Sequence, residues 1–365
     1  MTDQKLYEIA LTLLPGIGYV NGKKLVAYCG GAEAVFCENK KALTQINGIG
    51  EATVNLIVSQ KVIHQAEEEM KFVEHNGIKP LFYLDAEYPR RLQHCPDSPM
   101  LLYYKGNADL NAEKVVGVVG TRNITDYGRY VTEKIVEDLA SDNILVISGL
   151  AYGVDAVAHR AALKYNLATV GVLGHGMQTI YPAENRKLST NMLEKGGILT
   201  EFVSGTQPER ENFPKRNRIV AGMVDCLVVI ESALKGGAMI TAEIANSYDR
   251  EVFAIPGKIG DIYSEGCNQL VRTNKANLIT GAADIRYVMR WDVDTKVVAK
   301  QMRLFRDFSE DEKKVMDVFA KDNVVHLDDI IVGTDLSPSK IASILLSLEF
   351  DGVLTALPGK RYQKL

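Results

Sequence analysis

The chain has 365 residues, more than one ordinary core holds, so two or three domains are expected. It is 46% hydrophobic and 24% charged, the composition of a globular protein, and no apolar run approaches the roughly 18 residues a bilayer span needs. A formal net charge of −4 excludes a protein coated in positive charge but leaves room for a local basic groove, because phosphate contacts are few and close-range. The start, Met1-Thr2-Asp3-Gln4-Lys5, lacks the basic-then-apolar order of a signal peptide. Cys29, Cys37, Cys95, Cys226 and Cys267 are scattered and form no CxxC, so they read as thiols of a reducing cytoplasm, without a disulfide framework or a zinc site.

Residues 1–75 have a helical pattern with two similar turns, Leu14-Pro15-Gly16-Ile17-Gly18 and Ile46-Asn47-Gly48-Ile49-Gly50, each leading into an amphipathic stretch. Hydrophobic-x-Gly-hydrophobic-Gly before a helix resembles the helix-hairpin-helix motif, in which helix-start N–H groups hold a phosphate. Two copies predict a tandem, SAM-like helical domain. The same glycines also serve as plain tight connections, and both readings stay open, since the segment has more acids than lysines and no arginine. Residues 76–114 carry Pro89, Pro96 and Pro99 and read as a connector running into a short strand at Leu101–Gly106.

From 115 to 285 apolar strands alternate with helical patterns. The strands are expected at Val115–Val119, Leu145–Ser148, Ala168–Leu173, Gly197–Glu201, Cys226–Glu231, Val252–Pro256 and Ala276–Thr280. Continuous apolar strands separated by helices predict an α/β, Rossmann-like, doubly wound, mostly parallel sheet covered on both faces. Residues 286–308, including Trp291 and the mixed stretch Lys296–Arg306, read as a linker. Residues 309–365 read as a winged helix-turn-helix: a helix capped by Ser309, a short one from Leu327, a third opened by Ser337-Pro338, then a hairpin around Pro358-Gly359-Lys360. Its third helix has only Lys340 as a cation, so a protein-contact or regulatory role is favoured over duplex reading.

Ligands of such sheets bind beyond the carboxyl ends of the strands. There lie Gly120-Thr121-Arg122-Asn123, Gly149-Leu150-Ala151-Tyr152-Gly153, Gly174-His175-Gly176 and Lys235-Gly236-Gly237. Phe213-Pro214-Lys215-Arg216-Asn217-Arg218 reads as a basic loop before the strand at Cys226: phosphate donors beside an aromatic on which an unpaired base can stack. No cofactor is expected. The first turn lacks G-x-G-x-x-G, no G-x-x-x-x-G-K-[ST] occurs, and neither H-E-x-x-H nor G-x-S-x-G is present. His159 and His175 read as structural, and Asp155, Glu184 and Glu201 as caps or partners of arginines.

These motifs together, with Tyr181-Pro182-Ala183-Glu184-Asn185, Ile255-Pro256-Gly257 and Ser264-Glu265-Gly266-Cys267-Asn268, resemble the DNA-processing protein A (DprA/Smf) family over roughly residues 80–285. The resemblance implies a cytoplasmic, non-enzymatic protein that binds single-stranded DNA, forms a homodimer through the Rossmann-like domain and loads the RecA recombinase during natural transformation. It also implies dealings with single-strand binding protein and none with a membrane. On that analogy Arg122 is the main phosphate clamp, with Thr121 and Asn123 beside it in the DNA-binding turn, and Phe213 stacks on a base or shapes the pocket. Arg216, Asn217 and Arg218 hold the backbone with Lys215 and Arg210, while Gly149, Gly236 and Gly237 let the strand approach. Thr121 stands where the family commonly has Ser, and Gly236 where it commonly has Ser, which loses a hydroxyl but no charge. The alternative reading is a Rossmann-like nucleotide phosphoribohydrolase, using the loop at Lys235–Thr241 with Glu243 as its acid.

Overall fold

The computed structural model describes residues 3–291, 308–320 and 322–365; the Lys296–Arg306 stretch lies outside them. At its centre is a nine-stranded sheet. The strands are β1 (Lys79–Phe82), β2 (Leu101–Gly106), β3 (Val115–Val119), β4 (Leu145–Ser148), β5 (Ala168–Val172), β6 (Gly197–Thr200), β7 (Cys226–Val229), β8 (Glu251–Ala254) and β9 (Asn277–Leu278). Their order is β1-β2-β6-β5-β4-β3-β7-β8-β9. From β6 to β9 across the sheet every neighbour is parallel, and β2 and β1 add antiparallel at one edge. The chain steps from β3 outward to β6, then returns to β7 on the other side of β3. That reversal opens a crevice at the carboxyl ends of β3 and β7.

The central parallel strands β3, β4 and β7 are buried on both faces, as their unbroken apolar runs require. One face packs Ile219, Val220 and Met223 of helix Asn212–Met223 and Ala238, Ala242 and Ala245 of helix Gly237–Ser247. The other packs Ile135 and Val136 of helix Asp126–Asp138 and Ala158, Ala161 and Ala162 of helix Val154–Lys164. The segment expected as a connector into a short strand supplies that strand as β2 and adds β1 before it at the sheet's edge. Pro89, Pro96 and Pro99 all precede β2, and Pro80 sits in edge strand β1, where a missing N–H costs no ladder bond. Helix Ala282–Met289 also runs into the stretch expected as linker.

Residues 3–75 are mainly helical, from Asp3–Leu13 to Val62–His75. Gly16 and Gly48 have φ of +76° and +91°, and Asn21 Nδ2, in the helix that follows the first turn, donates to the Gly48 carbonyl of the second at 3.3 Å. This domain shares its core with Phe82, Leu101 and Tyr103 of the β1–β2 edge. Buried Glu69 accepts from Ser204 N and Oγ at 2.8 and 2.6 Å, pinning the last long helix to the loop after β6.

The back domain is a winged helix. Ser309 and Glu312 form a capping box at the start of helix Glu310–Val318, and helices Leu327–Thr334 and Pro338–Phe350 follow. β10 (Val324–His326), β11 (Leu354–Leu357) and β12 (Arg361–Lys364) make its sheet. Ile341, Leu345 and Leu348, at helical spacing, fill its core with Val315, Phe319 and Ile330. The wing turns toward the central sheet: Arg361 pairs with Asp225 at 2.9 Å and Lys360 with Asp249 at 2.6 Å. Asp225 also accepts from Arg91 at 2.7 Å and from Val115 N at 2.8 Å. Burial pushes its carboxyl up, but Arg91 and Arg361 outweigh that and hold it below the usual range. Beside this pair the rings of His94 and His326 stack with centroids 4.1 Å apart.

Asp225→Ala leaves two half-buried guanidiniums without their anion, so it is expected to cost roughly 3–5 kcal/mol in chemical denaturation and to loosen the winged domain. Burial, with His94, Arg250 and Arg361 near and Asp328 opposing, pushes the His326 ring down to about 4. An undocked His326 takes a proton at about pH 6.5 and the docked ring only near 4. Between those values the undocked state holds more protons, so docking weakens as pH falls through that window. Amide exchange in residues 322–365 relative to the sheet should therefore rise from pH 6.5 toward 4, and His326→Gln should flatten the rise. An equal rise in the variant assigns the effect to other groups, Asp328 and Asp329 included.

Candidate nucleic-acid interface

The turns beyond β3, β4 and β5 meet the start of helix Asn212–Met223 beside the crevice. Thr121 N donates to the Glu231 carbonyl at 2.7 Å, joining the turns after β3 and β7. Asn123 N donates to Thr121 Oγ1 at 3.1 Å, so the hydroxyl shapes its own turn, and Asn123 Nδ2 donates to the Tyr263 hydroxyl at 3.0 Å. Gly153 has φ +73°, and a Cβ there would lie 2.2 Å from the Thr121 carbonyl; only glycine lets these two turns touch. Arg122 is left on the crest. It is exposed, its Cζ lies 5.4 Å from the Phe213 ring centroid, and among the described residues no carboxylate pairs with it.

Phe213 is half-buried and tilted at 45° to Tyr181, 6.0 Å between centroids. Arg122, Tyr152, Gly174, Tyr181, Pro182 and Phe213 bound a shallow pocket. Tyr152 and Tyr181 are 40% and 44% exposed, and the Tyr152 hydroxyl donates to Glu184 Oε2 at 2.7 Å. A guanidinium over an aromatic ring, with further aromatic walls and backbone turns, suits a phosphate next to an unstacked base. Motif reading assigns no role to Tyr152 or Tyr181; an aromatic just past a strand end is the one signal that points to them.

The basic segment is not a loop. Phe213–Arg218 forms the first turns of helix Asn212–Met223, where Pro214 is tolerated. Helical spacing turns Arg216 inward with Ile219, Val220 and Met223, and it is only 4% exposed. Its Nη1 donates to the carbonyls of Gly149 and Val172, at the ends of β4 and β5, and its Nε to Asn217 Oδ1 at 3.3 Å. Burial lowers its pKa to about 10, opposed by the charge of Asp155. In this arrangement the Arg216 guanidinium is turned toward backbone carbonyls and bolts strand ends together.

Arg218 is likewise engaged, paired with Glu201, donating to the Asp97 carbonyl, and set 5.6 Å from the Tyr19 ring of the helical domain. Lys215 and Arg210 are exposed around the same helix start, and Asn217 Nδ2 reaches the Gly237 carbonyl at 3.4 Å. Gly149 is glycine to admit Arg216, whose Nη1 would lie 2.4 Å from a Cβ. Gly236 packs on Ser232, whereas Gly237 faces open space. The pocket thus gathers Arg122 and Phe213 directly, with Thr121 and Gly149 beneath them. Arg216 and Arg218 are structural supports.

The remaining candidates do not form a reaction centre. His159 is buried, its Nδ1 2.7 Å from Thr169 Oγ1, and burial with Arg216 and Arg160 pushes its pKa to about 3, so the ring is neutral. His175 Nδ1 lies 2.8 Å from the Gly176 carbonyl, and its Nε2 accepts from Tyr181 N at 3.3 Å. Glu243 is exposed and paired with Lys275 at 2.6 Å. Among the described residues, His94, His326 and Asp328 bring metal-ligand atoms within 4.8 Å of one another. The two rings lie face to face, so their in-plane lone pairs run side by side and do not converge on one ion.

No single helix among the described residues is long and apolar enough to cross a membrane. A family model described as DNA recombination-mediator protein A matches residues 79–290, and one described as the DprA winged helix domain matches residues 306–360. The protein Smf of Synechocystis sp. is 32% identical, aligned over 99% of both chains. The DNA processing protein DprA of Streptococcus pneumoniae is 38% identical over 61% of this chain and 76% of its own. The solved structure of DprA from that organism superposes with a TM-score of 0.68 at 32% identity, covering 77% of this chain and 97% of that one. The DNA processing protein A of Helicobacter pylori, described for its single-stranded DNA binding mode, gives a TM-score of 0.54 at 27% identity, over 60% and 98%. Fold, motifs and full-length similarity agree: this chain belongs to the DNA recombination-mediator protein A family.

Proposed function

We propose that the chain is a non-enzymatic, cytoplasmic recombination mediator that binds single-stranded DNA and loads RecA on it, in natural transformation or ordinary recombination. The observation that carries the proposal is Arg122, unpaired by any described carboxylate, poised over the Phe213 ring in a pocket walled by Tyr152 and Tyr181. A phosphate meets the guanidinium and the adjoining base meets the ring. A base paired in duplex cannot leave its stack to do so, which gives preference for single strands with little sequence preference. Lys215, Arg210, Asn123 and the amides near Gly237 extend the contact around that pocket.

The loading of RecA, exchange with single-strand binding protein and a homodimer through the Rossmann-like domain rest on family membership. Two linked pockets would raise avidity without new contacts. The winged domain fits a protein-contact role: Lys340, Lys360 and Arg361 are paired with Asp311, Asp249 and Asp225, which leaves little charge for duplex phosphates. Against the phosphoribohydrolase reading, Glu243 is held by Lys275 and borders none of the Arg122 pocket.

Fluorescence anisotropy of a labelled single strand and the matching duplex, over a salt series, tests the proposal. The wild type should favour the single strand, with affinity falling steeply with salt. Arg122→Ala should lower the salt slope by roughly 0.7 for each phosphate it no longer neutralises. Phe213→Ala should weaken binding roughly 5- to 150-fold, the range of about 1–3 kcal/mol for one stacked base. Equal affinity for both DNAs, unmoved by either change, refutes it. Arg216→Ala should differ in kind from Arg122→Ala. It strips two buried carbonyls and Asp155 of their partner and should lower stability by about 3–5 kcal/mol in thermal or chemical unfolding, whereas Arg122→Ala should melt like the wild type.

A further inference from the structure

On the far side of Tyr152 from the Phe213 pocket lies a second, larger cleft of about 570 Å³, open to solvent. Arg122 and Tyr152 border both. The new walls are Arg129, on the first turns of helix Asp126–Asp138, and Arg160, on the second turn of helix Val154–Lys164. They stand 31 positions apart in sequence and meet because these two helices pack side by side on one face of the sheet. All three arginines are exposed, and among the described residues none forms a side-chain hydrogen bond or an ion pair. No carboxylate borders the cleft; Asp126, exposed in the same first turn as Arg129, is not part of its wall. In a chain whose net charge is −4, three unneutralised guanidiniums around one opening are a site for a polyanion.

The geometry points to Arg129 and Arg160 as a second backbone-binding subsite, in which the same single strand, having placed a base against Phe213, crosses Tyr152 and lays its next phosphodiesters between them and Arg122. Tyr152 is the divider, its hydroxyl anchored on Glu184. The cleft is wide and mostly polar, which suits sugar and phosphate more than a buried base, whereas the first pocket is narrow and aromatic. Contact there depends on strand length: a strand too short to pass Tyr152 fills only the first pocket. The subsite rests on the single-strand reading above.

The test is an Arg129→Ala/Arg160→Ala double variant beside the wild type and Arg122→Ala, each titrated with labelled oligothymidylates of about 4 and about 20 nucleotides over a salt series, lengths chosen to lie below and above typical site sizes. The double variant should bind the long strand at least roughly tenfold more weakly, with a salt slope smaller by about 1.4 for two phosphates left unneutralised, while binding the short strand as the wild type does. A double Lys variant should recover most of the slope, and thermal unfolding should match the wild type, since both side chains are exposed. Wild-type affinity and slope for the long strand in the double Ala variant overturn the subsite. If Arg122→Ala still weakens both strands in that case, the single-strand reading stands alone. If the wild type itself shows no single-strand preference and Arg122→Ala changes nothing, the single-strand reading falls and takes the subsite with it.

Discussion

The binding rim depends on one buried cation. Where β4 and β5 end, their shared ladder stops and the strands part, leaving the carbonyls of Gly149 and Val172 without strand partners. An unmet buried carbonyl is costly. Arg216 reaches across from helix Asn212–Met223 and supplies both with donors, and a residue with any side chain at position 149 would block it. One nitrogen, Nη1, serves both carbonyls, while the planar guanidinium sends its Nε to Asn217 Oδ1. Its own burial is offset by Asp155, whose carboxylate accepts from Gly149 N and Ala151 N at 3.2 and 3.3 Å. Strand ends, helix start and the turn that precedes Tyr152 are thereby one rigid unit. Phe213, three residues before Arg216 on the same helix, takes its position from that bolt, and Arg122 takes its position from Phe213 and Gly153.

This explains which parts of the molecule could be read from the sequence. The strands were legible to within a few residues because parallel strands covered on both faces must be continuously apolar, and Val115–Val119 or Cys226–Val229 leave no other choice. The winged domain was legible from its cap at Ser309 and the spacing of Ile341, Leu345 and Leu348. The helix at Asn212–Met223 was not. A proline and four polar side chains in succession read as a loop, and a buried arginine breaks the apolar rhythm that would have revealed positions 216, 219, 220 and 223 as one face. Antiparallel β1 was hidden for a related reason, because Pro80 is tolerated only at an edge, and edge position is a tertiary fact. The pocket's aromatic walls and the Arg129–Arg160 pairing were hidden more deeply, since exposure and helix-to-helix proximity have no local signature.

Charge is distributed so that little of it acts at a distance. The winged domain's Lys360 and Arg361 are spent on Asp249 and Asp225, Arg218 on Glu201, and Arg91 on Asp225. These pairs join the three parts of the chain: Arg218 with Tyr19 ties the helical front to the sheet, and Arg361 ties the wing to its other side. Arg122, Arg129 and Arg160, by contrast, border one opening and have no carboxylate partner among the described residues. At physiological ionic strength a field decays over about 8 Å, so an acidic chain with a small unneutralised cluster presents phosphates with a local trap and no long-range attraction.

Such an arrangement separates two properties that a uniformly basic surface combines. In the proposed role affinity comes from a few charge-assisted contacts and stacked bases, which respond one by one to strand length and salt. Attraction to duplex stays low in that role, because a paired base cannot leave its stack to reach Phe213. In the proposed role a strand must be held and then surrendered to a recombinase filament. A contact built from a small number of discrete steps, with Tyr152 dividing two pockets, can be released one phosphate at a time. A partner that takes the strand from one end then competes with single contacts and never with the sum of them, and this is the physical sense in which a modest, local site serves a mediator better than a strong, continuous one.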